Sequence, residues 1–282
     1  MLVWWPLFGL AQAQGFTDGT LYYASQQGEL YAVTEDPLPT ATRFGDVGAY
    51  VAGQLAFSRD GATMYVPLPN DHTVLAVTPD GTVTPYATGL VRPLGLLVTD
   101  DGHLLVTNWD DGEVLDITGG GDVSSVAPLV TGLGWARHLL QLADGRVLVS
   151  DQQTGNLHDI AYPRGGPVGA PFATGVLGVL AIAQTPDGRI FAGGQWDVWD
   201  VTAGGAAATP FTHGQELIGL AVAPDGRLIA GTYLGTVLFD VTGGGDLSSA
   251  SPWLTGLPVG DTALAFGPLP PGPTDTAVDT GA

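Results

Sequence analysis

Three observations predict an all-β chain closed into a ring of six four-stranded blades, a six-bladed β-propeller. An Asp-Gly pair recurs at Asp18, Asp60, Asp101, Asp144, Asp187 and Asp225, with spacings of 38 to 43 residues. Each interval holds several short apolar runs split by Gly- and Asp-rich loops, which read as strands rather than helices. Repeats of this length mark propeller blades, whereas a β-sandwich would show strands without a fixed period. The third observation concerns the ends. The Asp18 turn has no strand before it, and the run Thr262 to Phe266 has no blade after it. Placing that run inside the first blade closes the ring and pairs an edge that would otherwise invite aggregation.

The unit is clearest from Arg92 to Thr118. Leu94 to Val98 forms an inner strand, Asp101-Gly102 turns the chain, and Leu104 to Val106 returns. Asp-Gly predicts a tight two-residue type I′ hairpin there. A polar loop, Asn108 to Gly112, leads to a third run from Val114 to Ile117. A fourth strand ends in Thr/Ala-x-Gly, as at Tyr86 to Gly89 and Phe172 to Gly175. Strands apolar on both sides suit blades covered on both faces. Gly119 to Asp122 and Gly243 to Asp246 read as long hairpin turns, with Ca²⁺ binding as the alternative. The first of these runs recurs nearly unchanged three blades later, which suggests duplication of a three-blade half.

Composition bounds the chemistry. The chain has 282 residues, 43 of them Gly and 21 Pro, so turns dominate. Eight basic residues, all Arg, face 28 acidic ones for a net charge of −20. That excludes a basic stripe for nucleic acid and disfavours anionic membrane surfaces. Without Lys there is no Schiff-base chemistry, and without Cys no disulfide, thiol nucleophile or thiolate metal site.

Residues 1–13 read as an export signal. Leu2 to Leu10 is apolar and Ala11-Gln12-Ala13 has a small-x-small cleavage form, although a basic n-region is missing. The propeller then spans residues 14–268. Residues 269–282 form a Pro/Thr/Asp-rich tail with little apolar content. The expected location is outside the cytoplasm of a bacterium: secreted, periplasmic or at the cell surface.

The spacing Pro93-x-Gly95-Leu-x-Val98-x-x-Asp101-Gly102-x-Leu104-x-Val106-x-Asn108 resembles the NHL repeat. It also resembles the blade of the gluconolactonase-like, calcium-dependent phosphotriesterase superfamily. The resemblance covers roughly Phe16 to Pro268 and implies a six-bladed fold. It also implies a divalent cation held by Glu, Asn and Asp where inner strands begin. Here those slots hold Gly53, Leu94, Arg137, Leu180 and Ile218, and only Asp261 and Glu216 bring carboxylates near the channel. Ca²⁺ wants more oxygens than these supply, so no cofactor is expected.

Loops leading into the inner strands and loops joining second to third strands should share one face, where loops on a rigid scaffold bind ligands. Candidate ligand contacts there are Asn108, Trp109, Asp151, Gln152, Gln195, Trp196, Tyr233 and Asp261. Mixed aromatic, amide and carboxylate groups suit a polar small molecule, a glycan or a protein. Arg137 and His138 break a series of small or apolar residues at one step of the blade. As an open couple they could receive an anionic or carbonyl group, or supply general acid–base catalysis. As a plug they would pair with neighbours such as Asp151 or Asp261. The open couple is the working expectation. The sequence thus predicts a monomeric, exported ligand-binding or protein-interaction module. A lactonase-like hydrolase or lyase acting at the channel mouth is the alternative, and a structural cell-surface protein is a third reading.

Overall fold

A computed structural model describes residues 15–35, 38–194, 196–207, 209–215, 217–232 and 237–268. The expected export signal and tail, and the candidates Gln195 and Tyr233, lie outside these residues. No helix occurs among the described residues, and none is long and apolar enough to cross a membrane.

Six antiparallel sheets form the blades. Blade 3 shows the order, running from the axis outward as Pro93–Val98, Leu104–Asn108, Glu113–Asp116 and Val130–Thr131. Blade 4 repeats it as Ala136–Gln141, Val147–Asp151, Asn156–Asp159 and Ala173–Thr174. Blade 2 begins at Ala56–Phe57, blade 5 at Ala181–Gln184 and blade 6 at Leu217–Val222. The first blade is completed by the end of the chain. Gly260–Phe266 pairs antiparallel with Leu21–Ser25, setting Phe266 opposite Leu21 and Leu264 opposite Tyr23. The expected closing strand is therefore present, two residues longer at its start.

Alternation along each strand feeds two interfaces. Val147 and Val149 face the cluster shared with blade 3, while Leu148 between them faces the cluster shared with blade 5. Leu104 and Val106 turn toward blade 2, and Leu105 toward blade 4. Among the described residues six such clusters occur, one between each pair of neighbouring blades. The last joins Ile229 and Leu238 of blade 6 to Leu21 and Tyr23 of blade 1. A period-two strand with no polar side is what this packing demands.

Two local expectations need correction. The Asp-Gly hairpins are not type I′. Gly102 N–H donates to Thr99 C=O (2.9 Å) and Thr99 N–H to His103 C=O (2.8 Å), which makes a three-residue loop. Only Gly102 has a positive φ, 89°, so this is a type I turn followed by a left-handed glycine. Asp is favoured because its carboxylate accepts the amide two residues on, as Asp144 does from Arg146 and Asp225 from Arg227.

The Gly-rich runs are not plain hairpin turns either. Gly121–Asp122 leaves its own blade and pairs in parallel with Ala87 and Thr88 at the outer edge of blade 2. Gly166–Pro167, Gly205–Ala206 and Gly245–Asp246 clip blades 3, 4 and 5 in the same way. Glycine is required at Gly120, where φ is 61° and a Cβ would stand 2.8 Å from Tyr86 C=O. Asp122 uses its carboxylate to accept Ser124 N–H, a local cap.

Candidate functional site

Blades 3 and 4 align residue for residue at an offset of 43, and that alignment organises the channel mouth. In blade 3, Asn108 Oδ1 accepts Val91 N–H (3.1 Å) and Arg92 C=O accepts Trp109 N–H (3.2 Å). In blade 4, Asp151 accepts Gly134 N–H (2.9 Å) and Trp135 N–H (3.1 Å), and Trp135 C=O accepts Gln152 N–H (3.0 Å). Each second strand therefore ends in a buried polar post that holds the lead-in loop of its own blade. Both loop sets share one face, as expected.

Asn108 and Asp151 are 4% and 2% exposed, so they act through the backbone they hold. Asp151 also accepts the N–H groups of Gln153 and Thr154. Burial works to raise its pKa. The amides of Gly134 and Trp135, with the hydroxyl and N–H of Thr154, outweigh burial and leave the carboxyl below the ordinary range.

On these posts stands an aromatic stack. The Arg92 guanidinium lies 4.4 Å over the Trp109 ring and 3.4 Å from Asp110 Oδ1. Trp109 and Trp135 have centroids 5.0 Å apart with planes at 32°. Trp109 Nε1–H donates to Gln152 Oε1 (3.1 Å), which also accepts Arg137 Nη1–H (3.4 Å). The structure thus gathers Trp109, Gln152 and Arg137 of the candidates and adds Arg92 and Trp135. Trp196 lies on the next blade, 59% exposed. Asp261 lies on the closing strand.

Arg137 and His138 are not the open couple expected. They are 8% and 5% exposed. His138 N–H donates to Ser150 Oγ (3.0 Å), and its Nδ1 accepts Ile182 N–H from blade 5 (3.5 Å). Burial first, and then the Arg137 charge beside it, push its pKa down to about 3, while a backbone hydrogen bond at Leu139 works the other way. The imidazole is neutral at ordinary pH, with its proton on Nε2. Of the two partners expected for a plug, Asp151 and Asp261, Asp151 is occupied by backbone amides instead.

The alignment explains the space these groups fill. Gly95 occupies the step of His138 in blade 3, and a Cβ there would meet Arg137 C=O at 2.2 Å. From blade 2, Gln54 binds the Leu139 backbone at both ends of its amide, donating to the C=O (2.9 Å) and accepting the N–H (3.0 Å). The side chains of His138 and Gln54 are thus spent joining blades.

The divalent-cation centre implied by the resemblance does not fit these residues. Its slots carry Gly53, three aliphatic side chains and the Arg137 guanidinium, which has no lone pair to give a cation. Among the described residues, no three His, Asp or Glu side chains converge to hold a metal.

No family model matches the sequence, and no curated protein matches it. Solved structures do. A chain in a nidogen/laminin complex superposes with a TM-score of 0.68 at 14% identity, over 88% of this chain and 98% of that one. A protein assigned to the gluconolactonases gives 0.60 at 15% identity, over 80% and 91%. Virginiamycin B lyase from Staphylococcus aureus gives 0.56 at 14% identity, over 79% and 82%. At such identities the likeness is one of fold. The chain is a six-bladed β-propeller, the architecture shared by gluconolactonase-like and NHL-type proteins.

Sequence reasoning passed over Arg92, Trp135 and Gln54 as site residues. The offset of 43 would have found the first two, because it places Arg92 and Trp135 at one step of consecutive blades.

Proposed function

We propose that this chain is an exported binding module whose recognition surface is the loop face of blades 3 to 5, centred on the Arg92–Trp109–Trp135 stack. One observation carries the reading. His138, on the inner strand of blade 4, is buried, neutral and bonded to Ile182, whereas Trp135 is 38% exposed on a loop fixed by Asp151. Rigid aromatic groups on posted loops favour binding, because little conformational entropy remains to be lost. The hydrolase or lyase reading draws no proton carrier from His138. Placement outside the cytoplasm rests on reading residues 1–13 as an export signal.

The test is a screen of the intact protein against immobilised glycans and peptides, followed by titration of each hit with indole fluorescence as the signal. Trp135→Ala and Trp109→Ala should each weaken binding by about tenfold or more, as for anchor residues at interfaces. Hits bound equally well by both variants would overturn the reading.

A further inference from the structure

We propose that the mouth of blades 3 to 5 receives a cationic segment of a partner protein, with a guanidinium or ammonium over the outer side of Trp135 and an apolar neighbour against Leu177 and Trp196. This rests on the mouth being the binding surface, and it goes further by naming the occupant.

The surface is continuous. Gln152 N–H bonds Trp135 C=O, and the same loop reaches Gly155, where a Cβ would lie 2.9 Å from Val176 C=O and 3.6 Å from Leu177 Cα. Leu177 C=O in turn sits 2.7 Å from the Cβ position of Gly194, whose N–H bonds Asp197 C=O around Trp196. Trp135, Leu177 and Trp196 are 38%, 79% and 59% exposed. Large apolar groups gathered on one face mark an interaction surface, and Trp and Arg are the commonest anchors of such surfaces.

The chemistry of the occupant follows from charge and from Arg92. That guanidinium already stacks on Trp109 while touching Asp110. It is an internal example of how a cation sits on this face. Trp135 offers the next indole in the stack. Asp110 and Asp111 are exposed on the loop that carries Trp109, Asp71 is exposed on the corresponding loop of blade 2, and the whole chain carries −20. A negative field of that size steers cations in and keeps anionic partners out. A glycan would use the indole, but it gives no role to a leucine as exposed as Leu177. A peptide pairing a cation with an apolar side chain uses both.

The probe is an array of random peptides spanning acidic to basic charge, beside a glycan array. The proteins are the full chain and its Trp135→Ala, Trp135→Phe, Leu177→Ser and Asp80→Asn variants, each checked by its melting temperature. Selected peptides should carry Arg or Lys next to an apolar residue. Their binding should fall about tenfold in Trp135→Ala, recover in Trp135→Phe, weaken in Leu177→Ser and stay unchanged in Asp80→Asn, a charge on the opposite face. Selection of neutral or acidic peptides, or of none, would overturn the proposal. Cationic peptides bound equally by the Trp135→Ala and Leu177→Ser variants would reveal mere attraction to an acidic chain, and that also overturns it. Glycans that quench Trp135 would refute the partner class while leaving the mouth as the binding surface.

Discussion

His138 Nδ1 accepts the backbone N–H of Ile182, so an imidazole of blade 4 ties the inner strand of blade 5. The folded pKa lies near 3, below the ordinary value of 6.5. Within that window the unfolded chain binds a proton that the folded chain refuses. Stability from this group is therefore complete above pH 6.5 and is lost as pH falls toward 3. Replacing His138 with Gln should flatten the dependence by up to one proton across that range. Urea unfolding of both proteins at a series of pH values measures the slope, and equal slopes would contradict the burial.

The closing strand makes a second prediction. Removing residues 260–282 strips the partner of Leu21–Ser25 and opens the cluster shared by blades 6 and 1. Cooperative thermal unfolding should be lost, because the first blade then exposes both an unpaired edge and its apolar face. Calorimetry showing a single sharp transition in the truncated chain would refute this.

Glycine at position 95 makes room for its neighbour. Gly95→Ala would bring a Cβ to 2.2 Å from Arg137 C=O and 3.0 Å from Thr107 Oγ1. Forcing the inner strands apart should cost about 1–3 kcal/mol. Gly119→Ala, where no atom lies within 4 Å of the added group, is the control and should be close to neutral. Denaturant midpoints of the two variants compare them directly.

Asp151 positions Trp135 through its backbone N–H. Asp151→Ala frees the part-buried N–H groups of Gly134 and Trp135 from the carboxylate that holds them. Each unpaired group costs about 1–3 kcal/mol. The near-ultraviolet circular dichroism of the Trp109–Trp135 pair should weaken as well. Asp151→Asn, which can still accept, should retain most of that signal.

A chelator should do nothing. With a guanidinium and aliphatic groups at the metal slots, EDTA is expected to leave the melting temperature and any ligand binding unchanged. A drop in either on chelation, restored by Ca²⁺, would contradict the donor set.

The repeat was legible because it is written in backbone chemistry. Asp-Gly turns and period-two apolar runs have to recur wherever a blade recurs, and the unpaired run at Thr262 to Phe266 gave the closure. The turn type was misjudged because Asp101-Gly102 suits both a two-residue loop and a three-residue loop. The choice falls to Thr99 and His103, which bond each other across the turn. The parallel clips could not be read, since their partners lie on the preceding blade and glycine at Gly121 carries no side-chain pattern. At the mouth, Trp109 and Gln152 were visible as polar and aromatic loop residues. The environment of His138 was not. Whether a polar residue at that step is open or enclosed depends on the path of blade 5, where the Ile182 amide waits for it.

The parallel clips give the ring a mechanical polarity. Each is carried by one blade and laid on the blade before it, from Gly121–Asp122 on blade 2 to Gly245–Asp246 on blade 5. Among the described residues, the outer strand of blade 6, Leu254–Thr255, carries no such clip. Tension applied at the C-terminal end would first peel away Gly260–Phe266 and then blade 6. As blade 6 leaves, it lifts its clip from blade 5 and bares that edge, so each loss weakens the next blade in line. Tension at the other end meets no such sequence, because among the described residues blade 1 lays no parallel clip on its neighbour. Pulled in an optical trap, the ring should unravel as a zipper from its last blade backward.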